Sequence, residues 1–225
     1  MAKNKMIDPG LKYLQEIGFN RIRGKYGLID RWKKIFGNDK AEQIWKQWNS
    51  LPTGSKEFYD FKNSDPEISR SFSEAYDDDI IRKACNYIAA HKDYFGESIL
   101  EVGCDCGIIS YFLARTFPDA RIVSIDRCES AIGIAESYAK KQGLDNITFL
   151  AVDLKDIEGT FDTVFSMRTM HENHATEEDV INDLGEQAEL FKENLTGYAA
   201  ALSKALSPDG ILISIERIGR NALLL

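Results

Sequence analysis

Five short apolar stretches, interleaved with stretches of helical spacing, constrain this chain more than any other feature. They are "SILEVG" at 98–103, "ARIVSID" at 120–126, "NITFLAVD" at 146–153, "FDTVFSM" at 161–167 and "DGILISIE" at 209–216. Each reads as a strand whose near-continuous apolar character asks for cover on both faces. Between them, "IISYFLARTF" reads as a helix, and "SAIGIAESYAKKQG" as another that ends at Gly143. Residues 183–206 place Leu184, Ala188, Phe191, Leu195, Ala199, Leu202 and Leu206 at helical spacing. Strand and helix alternating in this way predict an α/β domain, a parallel sheet with helices on both faces.

Residues 1–95 follow a different pattern and are expected to form a helical N-terminal extension, with the sheet domain at 96–225. In "DRWKKIFGNDKAEQIWKQWNS", Trp32, Ile35 and Phe36 share one helical face, and Ile44, Trp45 and Trp48 a second. "LPTGSKEFYDFKNSDP" reads as a connection. Asp65 before Pro66 is a helix start, with the acid as cap and Pro in the first turn. A helix pair over 66–76 and 78–93 then leads to the sheet, with Ile80, Ile81, Ala84 and Ile88 as its buried stripe. The tryptophans read as core or lid packing rather than as platforms for bases.

Charge separates the same two zones. Residues 1–60 hold 12 Lys and Arg against 7 Asp and Glu, while the whole chain has a net charge of −8. An acidic body repels a phosphate backbone, so nucleic acid is not the expected partner. No apolar run is long enough for a membrane helix, so no membrane is expected either. The four cysteines, Cys85, Cys104, Cys106 and Cys128, read as free thiols of a reducing, cytoplasmic compartment. Nothing in the pattern speaks to oligomeric state.

Ligands of open parallel sheets sit beyond the carboxyl ends of the strands, so the first strand–helix turn, "GCDCG", is the candidate site. Gly103 lets a ligand approach the backbone, and Gly107 lets the helix start close to the strand. The spacing does not fit the Gly-x-Gly-x-x-Gly of dinucleotide sites, and a pyrophosphate would meet the like charge of Asp105. Acids elsewhere point to a nucleoside. Asp126 ends the second stretch, 23 residues after Gly103, where a carboxylate can accept from both ribose hydroxyls. Asp153 ends the third, placed to accept from an adenine amino group; a helix cap at Asp153 or Asp156 is the alternative.

In order and spacing, "LEVGCDCG", "IVSID", "AVDL", "FDTVFSMRTMHE" and "LSPDGILI" resemble the motifs of class I S-adenosylmethionine-dependent methyltransferases. The resemblance covers about residues 97–217. It implies a Rossmann-like, doubly wound, mostly parallel sheet of order 3-2-1-4-5, with S-adenosylmethionine as cofactor. It implies that Glu101, Gly103 and Gly107 shape the pocket for the methionine half, that Asp126 holds the ribose, and that Asp153 holds the adenine, flanked by Arg127 and Leu154. Cys104, Asp105 and Met167 complete the implied cofactor set. The family usually has a glycine where Asp105 stands and two further strands after the fifth. Here "ERIGRNALLL" follows, so the last two strands are not expected and a longer parent protein is one explanation.

Methyl transfer needs the acceptor positioned and sometimes deprotonated. In the polar stretch "SMRTMHENHATEED", His171 and Glu172 are the candidates for that catalytic role, with a solvated loop as the alternative. His174 is near, but His-Glu-x-x-His would need His at 175, which is Ala, so no metal is expected. The Asn-Pro-Pro-Tyr/Phe tetrapeptide of many adenine and glutamine methyltransferases is missing, which points to a small-molecule acceptor. Two alternatives stand beside this reading. One is an inactive scaffold of the same fold. The other is an RNA methyltransferase using the basic N-terminus.

Overall fold

The computed structural model describes residues 8–170 and 184–216. His171, Glu172 and His174 therefore lie outside the described residues, as does the stretch after 216. Among the described residues, six α-helices precede the sheet: α1 (Pro9–Glu16), α2 (Gly24–Phe36), α3 (Asn38–Ser50), α4 (Lys56–Lys62), α5 (Pro66–Tyr76) and α6 (Asp78–Ala90). Then come β1 (Ser98–Val102), α7 (Ile108–Thr116), β2 (Arg121–Asp126), α8 (Glu129–Gln142), β3 (Ile147–Ala151), β4 (Phe161–Met167), α9 (Leu184–Ala205) and β5 (Leu206–Ile215). The strands form one sheet of order β3-β2-β1-β4-β5, and every pairing is parallel.

Strand alternation divides the core. Ile99, Ile122 and Phe165 face one side, where α1, α6, α7 and α8 supply Tyr13, Ile88, Leu113 and Ala135. Leu100, Val123 and Val164 face the other, against Leu202 and Ala205 of α9. The first helices carry a separate apolar cluster in which Trp32 and Leu28 are fully buried with Ile44, Phe61 and Phe72. Trp32 meets Trp48 edge-on at 5.9 Å between ring centroids, so these rings are packing groups, as expected.

The helix starts follow local chemistry. The Asp65 side chain accepts from the Glu67 N–H with Pro66 in the first turn, and Asp8 does the same for Leu11. Gly143, at φ 64°, closes α8 in the left-handed conformation. One expectation needs correction. The stretch read as a connection contains α4, because Ser55 caps it by accepting from the Phe58 N–H at 3.1 Å. Glu57 in its first turn and Lys62 in its last also complement the helix dipole. α6 stops at Ala90 rather than 93, and a single 3₁₀ turn, Lys92–Tyr94, follows.

Candidate functional site

The turn between β1 and α7 is built on left-handed backbone. Gly103, Asp105 and Gly107 have φ of 74°, 49° and 83°. Asp105 thus holds the conformation that a glycine would take without strain, and aspartate is one of the few side chains that accept it readily. A Cβ on Gly107 would come within 2.8 Å of the Tyr111 hydroxyl, and one on Gly103 within 2.4 Å of Thr169 Cγ2. Both glycines are therefore required by close approach as well as by φ. The Ile125 carbonyl fixes the turn against β2 by accepting from the N–H groups of Gly103 and Cys104.

Asp126 closes the other side of the turn. Its Oδ2 accepts from the Asp105 N–H and its Oδ1 from the Cys128 N–H, each at 2.9 Å. Burial pushes its pKa above the usual carboxylate range, against the pull of the Cys128 N–H, and the Asp105 charge adds to the rise. Each carboxylate oxygen keeps capacity for a further donor.

Glu101 lies deeper. It is 3% exposed, and its Oε2 accepts from the hydroxyls of Ser110 and Ser124. Burial lifts its pKa to about 7, although both hydroxyls act in the opposite direction. Glu101 therefore shapes the floor of the turn.

A cleft opens at the carboxyl ends of β1, β2 and β3. Val102, Gly103, Ile125, Asp126, Arg127, Val152, Asp153 and Leu154 line it, with Thr169 and Tyr198 on the β4 side. This is the point where strand order reverses between β1 and β4. Of the residues singled out in the sequence, Gly103, Asp126, Arg127, Asp153 and Leu154 meet in this wall. Glu101, Cys104, Asp105, Gly107 and Met167 stand behind or beside it: Cys104 is buried under the turn, and Met167 packs toward the core on the α7 side. Asp153 lines the cleft and also takes the cap role given as its alternative, since its Oδ1 accepts from the Lys155 N–H and caps a short 3₁₀ turn.

Sequence reasoning missed three side chains here. The Thr169 hydroxyl bonds with those of Ser166 and Tyr198 at the cleft edge. Lys62, at the end of the unanticipated α4, sends its ammonium to Asp105 Oδ2 at 2.6 Å. The buried setting of Lys62 works against its charge, but the attraction of Asp105 outweighs it, and the pKa stands well above the ordinary lysine value. Thr169 carried no signal beyond its place after the fourth strand, and Tyr198 was hidden in a helix read for its apolar stripe. A second ion pair joins Arg168, after β4, to Asp77 between α5 and α6. Asp105 and Arg168 are the two non-glycine residues with positive φ among the described residues. Each is held by a partner from the first six helices or their junctions. No group of three or more His, Cys, Asp or Glu able to hold a metal ion occurs among the described residues.

An open parallel sheet with acids at its strand ends and a glycine turn at the reversal of strand order defines a nucleoside-binding class of fold. The chain belongs to a methyltransferase family: the model of the family described as "Methyltransferase domain" matches residues 95–219, more than half of the sequence. It is 34% identical over 138 residues to a malonyl-[acyl-carrier protein] O-methyltransferase of Bacillus cereus, covering 59% of this chain and 43% of that protein. It is 35% identical over 71 residues to the ribosomal protein L11 methyltransferase of Thermotoga maritima, covering 32% of this chain and 26% of the relative. The chain thus spans less than half the length of these two relatives. A solved SAM-dependent O-methyltransferase from Thermotoga maritima overlays with a TM-score of 0.44 at 20% identity, over 63% of this chain and 46% of that one.

Proposed function

We propose that this chain is a class I S-adenosylmethionine-dependent methyltransferase acting on a small-molecule acceptor. The observation that carries the reading is Asp126: a carboxylate at the end of β2, held by two backbone N–H groups, in the wall of a cleft at the strand-order reversal. Such an acid suits the paired hydroxyls of a ribose. Gly103 lines the same cleft, and its missing Cβ lets Thr169 pack against the turn there. Asp153, Arg127 and Leu154 offer an acceptor and flanking surface for an adenine.

When bound, the cofactor supplies a methyl group already activated on a sulfonium. The chain's own residues bind, orient and exclude water. Thr169 and Tyr198 hold hydroxyls at the cleft edge on the β4 side, where an acceptor can be positioned. Burial raises the Tyr198 pKa, so its phenol is neutral near pH 7 and donates or accepts hydrogen bonds without acting as a base. In the same reading the first six helices serve as the cover over one side of the cleft, and His171 and Glu172 as groups that orient or deprotonate the acceptor. The relative from Bacillus cereus is by its name an O-methyltransferase, which supports an oxygen acceptor.

Calorimetric titration tests the cofactor assignment. Wild type binds S-adenosylmethionine, and Asp126→Ala weakens binding by about 2 kcal/mol, the scale of lost hydrogen bonds to a charged group. Unchanged affinity in a folded Asp126→Ala protein removes Asp126 from the site. Label transfer from methyl-labelled cofactor to a small-molecule panel, with RNA as a separate arm, tests the acceptor class. Salt-dependent labelling of RNA alone would favour the RNA methyltransferase reading. Absence of cofactor binding would leave a scaffold of this fold.

A further inference from the structure

We propose that Lys62 and Asp105 form a charge clamp for the amino-acid end of the cofactor, Lys62 taking the methionyl carboxylate and Asp105 the methionyl ammonium. This rests on the reading of the cleft as an S-adenosylmethionine site. It goes further by bringing in a residue from the helical extension and by giving Asp105 a role in specificity.

The first support is unused bonding capacity. An ammonium has three donors. Lys62 is 9% exposed, and Asp105 is its one hydrogen-bond partner among the described residues. A buried lysine with donors to spare is costly unless a further acceptor arrives, and an anionic acceptor compensates best. Among the described residues, the side chains beside it offer no further anion free of a partner. Asn63 turns its carbonyl oxygen to the Ser69 hydroxyl at 2.7 Å. The Cys106 thiol is pushed up to about 12 by burial and stays neutral. Asp77 is engaged by Arg168. Asp105, in turn, accepts from Lys62 through Oδ2, while its side chain is 31% exposed.

The second support is location. The cleft runs from Asp153 and Leu154 after β3, past Asp126 after β2, to Gly103 after β1. If the adenosyl half occupies the β3–β2 part, the remainder extends toward the β1 turn. Asp105 stands in that turn, two residues after Gly103, and its N–H is bonded to Asp126 itself.

The third support is charge. A fixed Lys–Asp pair has no net charge, so it offers little to a pyrophosphate, but it matches a zwitterion aligned against it. The carboxylate of Asp105 therefore does not spoil the turn, because Lys62 cancels it.

Three probes test the clamp by titration. They are S-adenosylmethionine, its decarboxylated analogue, which keeps ammonium and sulfonium, and 5′-methylthioadenosine, which lacks the whole amino-acid end. Wild type should prefer S-adenosylmethionine to the decarboxylated analogue by about tenfold or more, the scale of one charged hydrogen bond. Lys62→Met should erase that preference and leave 5′-methylthioadenosine affinity unchanged. The pair Lys62→Met with Asp105→Asn removes both charges together, so no lone buried charge remains, and it should erase the preference in the same way. Equal wild-type affinity for the first two probes overturns the clamp and needs no variant. Parallel loss of all three probes in Lys62→Met also overturns it, since Lys62 would then be a tether for α4. If wild type binds none of the three, the cofactor reading falls and the clamp with it. Binding of 5′-methylthioadenosine without discrimination would leave the adenosyl site standing and sink the clamp alone.

Discussion

Gly103→Ala is expected to lower folding stability by about 3 kcal/mol and to close the cleft to nucleosides. Two independent costs combine. A non-glycine residue at φ 74° is in the left-handed region, at roughly 1–2 kcal/mol. The new Cβ would also meet Thr169 Cγ2 at 2.4 Å, so Thr169 must move. That movement disturbs the hydroxyl contacts of Thr169 with Ser166 and Tyr198, and overpacking of this kind costs roughly 1–3 kcal/mol. Thr169→Ser separates the two terms because it deletes Cγ2 and keeps the hydroxyl. In urea denaturation the double variant should recover the steric part, about 1–2 kcal/mol, and retain the backbone part. If the two substitutions simply add, Thr169 is not what makes Gly103 necessary.

The sheet was legible because its signals are local. β1 and β2 read as strands from runs of buried residues, Ile99–Val102 and Ile122–Ile125, and both faces are in fact covered. Asp65, Pro66 and Gly143 carried their helix boundaries in their own backbone chemistry. The cleft wall was legible where a residue lies at a strand end: Gly103, Asp126 and Asp153 needed only the rule that loops after parallel strands line the ligand cleft. What stayed hidden depends on contacts distant in sequence. Lys62 and Asp105 are 43 residues apart, and Arg168 and Asp77 are 91 apart. No local pattern couples them. The helix carrying Lys62 has seven residues, and the Pro and Gly just before it in "LPTGS" resemble a loop more strongly than its Ser55 cap resembles a helix start. Asp105 showed only as a departure from the family's usual glycine for the same reason: its neutralising partner comes from a segment that reads as a connection.

Glu101→Gln should change how stability depends on pH, with little effect on the hydrogen bonds around it. The Glu101 carboxyl has a pKa of about 7 in the fold, because burial penalises its ionised form. In the unfolded chain a glutamate titrates near 4.3. The folded state therefore binds this proton more tightly. Its contribution is fully present below about pH 4 and is lost as pH rises toward and through 7. The gap between the two values corresponds to about 4 kcal/mol, reached above pH 8 and constant beyond it. A glutamine keeps an oxygen for the Ser110 and Ser124 hydroxyls and has no proton to lose. Asp126, whose pKa is also raised, contributes in the same direction in both proteins and largely cancels from their difference, its charge being the smallest named cause of the Glu101 rise. Urea denaturation at pH 5 and pH 8 reads that difference. Wild type should lose more stability than Glu101→Gln between the two, by about 2–3 kcal/mol, since part of the contribution is already gone at pH 5, where the unfolded glutamate is largely ionised. Any fixed cost of placing the amide shifts both pH values equally and leaves this slope untouched. Parallel slopes would mean that Glu101 is ionised in the fold at pH 5, and that the two serine hydroxyls outweigh its burial.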